Sequence, residues 1–420
     1  MSKVPVILFG DHIAAYGVLR ALGPENVPIH IVSHEGNGLC ARSRYVTSTL
    51  SLDPKDQMFL SKLMTWLSRR IGSEAVLMVA GEDDYLDTLS QNYESLGPNL
   101  RPTFPSWDTV RRVREKRETY EIAERIGIPV PRTFYVTSEE ELRERLKKGL
   151  DAHYPLLMKC EDSKAFLGRY GTKGVVANDE TQLFESYVRY DRFLGKLLLQ
   201  EMIPGGENQL LNFIGIYNRN AEPIQVFMNR KVRSSAQFLS CTLMETMWSG
   251  EVLEYSNRLI KEIGYWGYAN PEYKYDARDG KIKLMEVNGR ISMSNSHAFR
   301  CGLDVIGTLY RDALEGPLPR QETFEKNYPD DILWWLPAGD LATAARMFRE
   351  GSLTVRQYVR SVLGKKRISE PINWRDPRPF VAMSASVLRT MVVRLWNRKR
   401  DDGLYSVQKG REDVCQSMRS

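Results

Sequence analysis

The run Lys281-Ile-Lys-Leu-Met-Glu-Val-Asn-Gly-Arg290 constrains the fold of this chain more than any other stretch. In a β-strand successive side chains alternate between two faces. One face would be apolar at one end and polar at the other, carrying Ile282, Leu284, Glu286, Asn288 and Arg290. The segment Tyr268–Asp276 has the pattern of a preceding strand, and Asp279–Gly280 between the two is a turn signal. We therefore predict a β-hairpin.

Two carboxylates meet across this predicted hairpin, because Glu272 on the first strand would lie beside Glu286 on the second. At a separation of about 4 Å their repulsion is roughly 4 kcal/mol at an effective dielectric constant of 20. Either one carboxyl is protonated or a divalent cation lies between them. Glu286 and Asn288 offer oxygen ligands that Mg²⁺ accepts, and Arg290 offers a planar fork for phosphate or carboxylate. A surface hairpin with exposed charges is the competing interpretation.

Composition excludes several classes of protein. With 420 residues, 42% of them hydrophobic, the chain can form two or three globular domains. Its net charge of +6 suits small anionic substrates as well as nucleic acid and decides little. The five cysteines lack the spacing of a zinc site or a disulfide framework. No basic-then-apolar leader and no apolar run of membrane-spanning length is present, so we predict a cytoplasmic protein.

The first hundred residues alternate short apolar runs with helical patterns, which is typical of a parallel α/β unit. The runs predicted as buried strands are Pro5–Gly10, Val27–Val32 and Ala75–Ala80. Only Gly10 and Gly17 mark the first turn, so the three-glycine dinucleotide fingerprint is missing and NAD binding is not expected. Carboxylates in Gly81–Asp84 either contact a ligand at the sheet edge or cap the next helix, and we favour capping.

Lysines and glycines further along predict a phosphate site. Lys159 ends an apolar strand, where its charge must leave the core at once or find an anion. Lys116 lies on a basic helix, and the loop Asp162–Lys173 interleaves glycines with cationic residues. Together these groups would cradle a polyphosphate. Each alone is as compatible with a solvated lysine or a plain turn.

In this order, the motifs resemble the ATP-grasp superfamily of carboxylate–amine and carboxylate–thiol ligases, whose members include D-aspartate ligase, D-alanine–D-alanine ligase and biotin carboxylase. The resemblance covers about residues 1–320 and is carried by Lys116, Gly127–Pro131, Tyr154–Lys159, Gln200–Glu207 and Glu286–Arg290. It implies a fold of the α/β and α+β classes. A Rossmann-like pre-ATP-grasp domain (1–108) would precede a two-lobed ATP-grasp domain (109–320, lobes about 109–200 and 201–320) and a mostly helical C-terminal extension (321–420).

The resemblance also implies a nucleotide site. Lys116 and Lys159 would hold the phosphates of ATP, and the loop at 168–174 would close over them. That loop contributes Gly168, Gly171 and Lys173. A hinge would bind adenine through the backbone groups of Glu201 and Ile203, and its residues are Gln200, Glu201, Met202 and Ile203. Glu207 would accept hydrogen bonds from the ribose hydroxyls.

For the metal and the chemistry, the resemblance implies that Glu272, Glu286 and Asn288 ligate Mg²⁺, with two ions expected and Mn²⁺ as an alternative. Because the hairpin register is not fixed by sequence, Asp276 is an alternative to Glu272. Arg290 would steady the acyl-phosphate or the carboxylate. A basic stretch would face the reacting carboxylate through Lys231 and Arg233, although a charged strand edge explains that stretch nearly as well.

The implied reaction activates a small-molecule carboxylate with ATP and joins it to an amine, with no nucleic acid as partner. A carboxylase, another acyl-phosphate former and a non-catalytic nucleotide-binding module are the alternatives.

Beyond residue 318 the resemblance fades. Trp334 and Trp335 are predicted to pack in a core or an interface. Residues 379–400 form a basic amphipathic helical pattern that either packs on the body, which we favour, or contacts an anionic membrane surface. The polar residues 401–420 are predicted to be disordered, and the sequence is compatible with a homodimer.

Overall fold

The computed structural model describes residues 3–36, 38–72, 74–150, 152–160, 166, 169–170, 174–190, 197–235, 241–363 and 365–385. Within these residues the chain forms three β-sheets with flanking helices, which confirms the predicted combination of α/β and α+β units. Among the described helices, none combines the length and the apolar character needed to cross a membrane.

Five amino-terminal strands form a parallel sheet. They are β1 (Val6–Phe9), β2 (Ile29–Ser33), β3 (Val46–Ser51), β4 (Val76–Ala80) and β5 (Leu100–Pro102). Their spatial order is β3-β2-β1-β4-β5. The connecting helices are α1 (Ile13–Leu22), α2 (Phe59–Arg70) and α3 (Asp83–Gln91). Strands β1, β2 and β4 are buried throughout, as expected of strands covered on both faces, and the arrangement is the predicted Rossmann-like one.

A small antiparallel sheet follows two linking helices, α4 (Trp107–Arg114) and α5 (Lys116–Arg125). Its strands are β6 (Thr133–Val136), β7 (Leu156–Cys160), β8 (Val175–Ala177) and β9 (Leu197–Glu201), in the order β6-β9-β7-β8. Helices α6 (Glu139–Lys148) and α7 (Glu180–Tyr190) cover it. The sheet has a core of its own that includes Leu142, Met158 and Leu199. This unit occupies the region predicted as the first lobe, whose boundaries stay a prediction.

A seven-stranded sheet forms the largest unit. Its strands are β10 (Leu210–Tyr217), β11 (Pro223–Ser234), β12 (Cys241–Thr246), β13 (Gly267–Asp276), β14 (Lys281–Asn288), β15 (Ile332–Trp335) and β16 (Lys366–Ser369). Their order is β14-β13-β10-β11-β12-β15-β16, antiparallel except for the last pair. Three helices accompany the sheet: α8 (Gly250–Ile263), α9 (Ser294–Arg300) and α10 (Val305–Glu315).

The C-terminal extension is joined to both larger units. It contains helices α11 (Pro337–Arg349) and α12 (Val355–Val362), but it also supplies strands β15 and β16 to the large sheet, so it is not helical alone. Trp334 is fully buried, as predicted. After β16 the chain returns to the parallel unit, where Arg20 lies 3.3 Å from Glu370.

Strands β13 and β14 form the predicted hairpin. Their register places Glu272 opposite Glu286 and Asn270 opposite Asn288. The carboxylates therefore meet as expected, and we call Glu272 and Glu286 the carboxylate pair.

A β-bulge at Met285 shifts the register in the middle of this hairpin, so that Lys283 lies opposite Lys274 and Leu284 opposite Tyr273. Residues opposite each other share a face, and Lys274 shares a face with Glu272 because the two are two residues apart on one strand. Lys283 therefore lies on the same face as Glu286. The prediction that Ile282 and Leu284 share that face is wrong. Ile282 and Leu284 both belong to the hydrophobic core on the other side of the hairpin.

Candidate active site

Lysines from two other elements converge on the carboxylate pair. Lys231 Nζ, on β11, donates to Glu272 Oε2 at 2.7 Å. Lys116 Nζ, in the first turn of α5, lies 3.6 Å from Glu286 Oε2. Asn288 Nδ2 donates to Glu272 Oε1 at 3.3 Å. Five residues singled out in the sequence for metal, phosphate or carboxylate binding are therefore in contact.

These cations keep Glu286 ionised. Burial alone would raise the pKa of Glu286, but the charges of Lys116, Lys231 and Lys159 outweigh burial and lower it to about 2. Lys159, at the end of β7, acts here from the small antiparallel sheet. Burial alone would lower the pKa of Lys231, but the carboxylate of Glu272 outweighs it and raises that pKa overall. The repulsion between the two carboxylates is thus offset by lysines, which sequence reasoning did not anticipate.

Tyr120 connects these elements, and sequence reasoning missed it. Its hydroxyl donates to the backbone oxygen of Met285 at 2.7 Å, at the bulge in the hairpin. Gln200 Nε2, on β9, donates to the same hydroxyl at 2.9 Å. Tyr120 follows Lys116 by four residues, so both lie on one face of α5, and that spacing was a usable signal. The Gln200 side chain is buried in this network, and its role in nucleotide binding stays a prediction.

Arg290 lies between the hairpin and the parallel sheet. Its Nη2 donates to Asn288 Oδ1 at 3.4 Å, and its Nε lies 3.1 Å from Asp83 Oδ1. Asp83 also pairs with Arg114 at 3.2 Å. The site is therefore fixed to the first turn of α3, just beyond the carboxyl end of β4.

At that end of β4 the capping interpretation is wrong for Glu82. Glu82 occupies the N-cap position of α3, but its side chain makes no capping hydrogen bond. Instead, Glu82 Oε1 accepts from the backbone N–H of Asp11 at 3.3 Å and lies 3.9 Å from His12 Nε2. Gly10 has a φ of +123°, and a Cβ there would lie 2.9 Å from Glu82 Cγ, so glycine is required for this approach. The carboxyl edge of the parallel sheet thus borders the site.

The sequence left Glu272 and Asp276 as alternatives for the acidic residue opposite Glu286, and the ion pairs of Asp276 together with the strand register decide between them. Asp276 is fully buried and binds Arg278 and Lys283, each at 2.7 Å. The Arg278 guanidinium also binds Glu201, at 2.6 Å. Hydrogen bonds from Arg278 outweigh burial and lower the pKa of Asp276 well below its usual range. Asp276 is therefore occupied in holding the hinge, and the register gives the position opposite Glu286 to Glu272.

In the predicted hinge, the residue that offers a backbone donor for a purine edge is Ile203. The backbone oxygen of Ile203 accepts from Lys274 Nζ at 2.8 Å, so the hinge is tied to β13. Among the described residues, no hydrogen-bond acceptor is shown for the Ile203 N–H. The Met202 N–H donates to the oxygen of Pro155, and Glu207 Oε2 accepts from Ser234 Oγ at 2.6 Å.

Arg233 does not reach the carboxylate pair. A bulge in β11 places Lys231 opposite Met244 and Arg233 opposite Leu243. Because neighbouring residues of a strand point to opposite faces, Lys231 and Arg233 lie on different faces. The Arg233 guanidinium instead binds Asp340 of α11, at 2.7 and 3.0 Å.

Gly168, Gly171 and Lys173, predicted to cover the phosphates, lie outside the described residues.

The donor set at the hairpin fits Mg²⁺. In proteins this ion is usually held by one or two carboxylates together with substrate phosphates and water. Glu272, Glu286 and Asn288 supply two carboxylates and one carboxamide within a cluster of lysines. In the described parts of the chain, no group of three or more His, Cys, Asp or Glu side chains is placed to hold a metal.

The described chain thus has a parallel sheet followed by two antiparallel units, with cations and carboxylates where they meet. Residues 223–321 match the family described as carbamoyl-phosphate synthase L chain, ATP binding domain. The chain therefore carries an ATP-grasp domain, as predicted.

Several known proteins share this similarity. The D-aspartate ligase of Enterococcus faecium is 21% identical over 292 residues, which cover 67% of this chain and 69% of that protein. The crystal structure of an L-amino acid ligase from Bacillus licheniformis has a TM-score of 0.57 at 15% identity and covers 79% of each chain. The biotin carboxylase domain of Hydrogenobacter thermophilus 2-oxoglutarate carboxylase, in complex with MgADP, ADP and bicarbonate, has a TM-score of 0.58 at 18% identity. That match covers 79% of this chain and 74% of the other.

Proposed function

We propose that this protein is an ATP- and Mg²⁺-dependent ligase that activates a small-molecule carboxylate as an acyl-phosphate and joins it to an amine. The observation that carries the proposal is the convergence of Lys116, Lys159 and Lys231 on the carboxylate pair. Such a cluster suits a polyphosphate and a divalent cation together. The similarity to a D-aspartate ligase and an L-amino acid ligase supports an amino acid as one substrate.

In this reaction an oxygen of the substrate carboxylate attacks the γ-phosphorus of ATP, and ADP leaves. The amine nitrogen then attacks the acyl carbon, loses a proton, and displaces inorganic phosphate, which retains one oxygen of the original carboxylate. Both steps depend on positioning and on neutralising charge more than on acid–base groups. A bound Mg²⁺ would neutralise phosphate charge.

The chain's own residues would divide this work. Lys116 and Lys159 would hold the phosphates, and Glu272, Glu286 and Asn288 would ligate the metal. Arg290, which contacts Asn288 and Asp83, would steady the acyl-phosphate or the substrate carboxylate.

At the hinge, the N–H of Ile203 and the backbone oxygen of Glu201 would bond adenine, and Glu207 the ribose. Arg233 would contribute indirectly, because its guanidinium is bound to Asp340.

ADP release from ATP and Mg²⁺ across a panel of amino acids and dicarboxylates tests the proposal. Stimulation by one acid together with one amine is expected. Turnover that depends on bicarbonate instead would identify a carboxylase, and nucleotide binding without turnover under all these conditions would identify a non-catalytic module.

The described residues include three free thiols, at Cys40, Cys241 and Cys301, which fit the reducing cytoplasm that we propose as the location. Membrane contact through 379–400 also stays a proposal, since residues 386–400 lie outside the described part. Sedimentation with anionic vesicles, compared between the full chain and a chain ending at residue 378, tests it. Equal sedimentation of both would contradict it.

A further inference from the structure

Both carboxylate oxygens of Glu272 are already bonded by groups of the chain itself. Oε2 accepts from Lys231 Nζ at 2.7 Å, and Oε1 accepts from Asn288 Nδ2 at 3.3 Å. The oxygen of the Asn288 carboxamide in turn accepts from Arg290 at 3.4 Å. A divalent cation at the hairpin would need some of these same oxygens.

We propose that Lys231 competes with the divalent cation for Glu272. The cation then binds tightly only together with a polyphosphate, because the ammonium group of Lys231 pairs with the phosphate and releases Glu272. This inference rests on the proposed function and deepens it, because it assigns Lys231 a role in coupling cation binding to nucleotide binding. Lys231 is then a positioning residue that keeps metal and nucleotide coupled.

Charge balance supports the competition. The two carboxylates face the ammonium groups of Lys231 and Lys116, and Lys159 and Arg290 add further positive charge that acts on Glu286. A divalent cation entering this cluster alone would add positive charge where the carboxylates are already neutralised. A triphosphate brings negative charge, so the ammonium group of Lys231 can bind a phosphate oxygen in place of Glu272.

Burial identifies Lys231 rather than Lys116 as the stronger competitor. The side chains of Lys231 and Glu272 are 18% and 15% exposed, whereas those of Lys116 and Glu286 are 31% and 44% exposed. Water screens the second pair more, and its 3.6 Å separation is longer. The lysine side chain has four rotatable methylene groups, so its ammonium group can move to a phosphate without movement of the backbone.

Thermodynamic linkage gives the consequence. If the cation raises the affinity for nucleotide by some factor, the nucleotide raises the affinity for the cation by the same factor. Removing the charge of Lys231 should therefore strengthen binding of the cation alone and weaken the coupling between cation and nucleotide.

The test is Mn²⁺ binding, followed by electron paramagnetic resonance, to the full chain without nucleotide. Lys231→Met is expected to bind Mn²⁺ at least tenfold more tightly than the wild type. The double variant Lys231→Met/Glu272→Gln should lose this gain, which would assign the gain to Glu272. Lys231→Gln, which keeps a donor toward Glu272, serves as a second neutral variant if Lys231→Met unfolds.

A matched control is Lys365→Met. Lys365 also pairs with a glutamate of the large sheet, Glu245, which keeps a second partner in Arg230 at 2.6 Å. This variant should bind Mn²⁺ like the wild type.

The outcomes separate the two proposals. If the wild type binds the complex of Mn²⁺ with a non-hydrolysable ATP analogue, but neither neutral Lys231 variant gains affinity for Mn²⁺ alone, competition is wrong and the proposed function stands. Tight Mn²⁺ binding by the wild type without nucleotide would overturn the competition equally. If the wild type binds no Mn²⁺–analogue complex, both proposals fall.

Discussion

Tyr120 donates a hydrogen bond to the backbone oxygen of Met285, at the bulge that immediately precedes Glu286 in the hairpin. The same hydroxyl accepts from Gln200 on the small antiparallel sheet. One phenol thus joins α5, β9 and β14, and it lies on the same face of α5 as Lys116, which approaches Glu286.

The first prediction concerns this phenol. Tyr120→Phe removes the donor to the Met285 oxygen and leaves Gln200 Nε2 with Thr133 Oγ1 as its remaining acceptor, so we expect a loss of about 1–3 kcal/mol in the free energy of unfolding. Urea unfolding measures it. Tyr275→Phe, which removes the hydroxyl of a side chain 39% exposed on the same hairpin, should change the free energy by less than about 0.5 kcal/mol. Equal losses in both variants would contradict the role of Tyr120.

The site assignments predict a second result. Glu286→Gln removes one charge of the carboxylate pair without changing its size, and Lys159→Ala removes a cation that acts on Glu286. Both variants are expected to lose turnover by at least about a hundredfold in the ADP-release assay. Far-ultraviolet circular dichroism should match the wild type. Near-normal rates in either folded variant would show that the assignment is wrong.

A third prediction is a pH dependence of stability from Glu370. Its side chain is fully buried, and burial outweighs the charges of Arg20 and Arg300 and raises its pKa to about 7 from 4.5. Between these values the folded state binds a proton that the unfolded state releases, so stability falls as pH rises. We expect this group alone to remove about 3 kcal/mol between pH 4 and pH 8.

Glu370→Gln is the matched variant for that measurement. It should be more stable than the wild type at pH 8, and its denaturant unfolding should depend less on pH. Parallel stability curves for the two proteins across this interval would exclude a raised pKa at Glu370.

The fourth prediction separates structure from catalysis at Arg233. Its guanidinium and the Asp340 carboxylate are both buried, and breaking such a pair from one side typically costs about 3–5 kcal/mol. Arg233→Ala and Asp340→Ala should each destabilise the protein by that order, and the double variant by much less than their sum. Additive losses would mean that the two residues act independently.

The hairpin could be predicted because its signals are local. The turn at Asp279–Gly280 and the alternation of polar and apolar residues led to the pairing of Glu272 with Glu286 that the structure shows. The bulge at Met285 could not be predicted in the same way. Its carbonyl is held by Tyr120, 165 residues earlier in the chain, and a bond of that kind leaves no periodic trace in either segment.

The same physical limit explains the errors elsewhere. Lys231 and Arg233 are two residues apart, which predicts one shared face, but a bulge between them sends Arg233 to Asp340 on α11. Glu82 occupies the N-cap position, as a pattern of carboxylates before a helix suggests, yet its side chain turns toward Asp11. Local patterns locate such residues, whereas the partners of their side chains come from distant segments.

The most direct test of the proposed ligase follows one oxygen atom. Once a carboxylate substrate is found in the ADP-release panel, it is labelled with ¹⁸O in both carboxylate oxygens and converted in the presence of ATP, Mg²⁺ and the amine. Activation as an acyl-phosphate predicts that the phosphate released carries one ¹⁸O atom, measured by mass spectrometry. Turnover that yields only unlabelled phosphate would contradict the account.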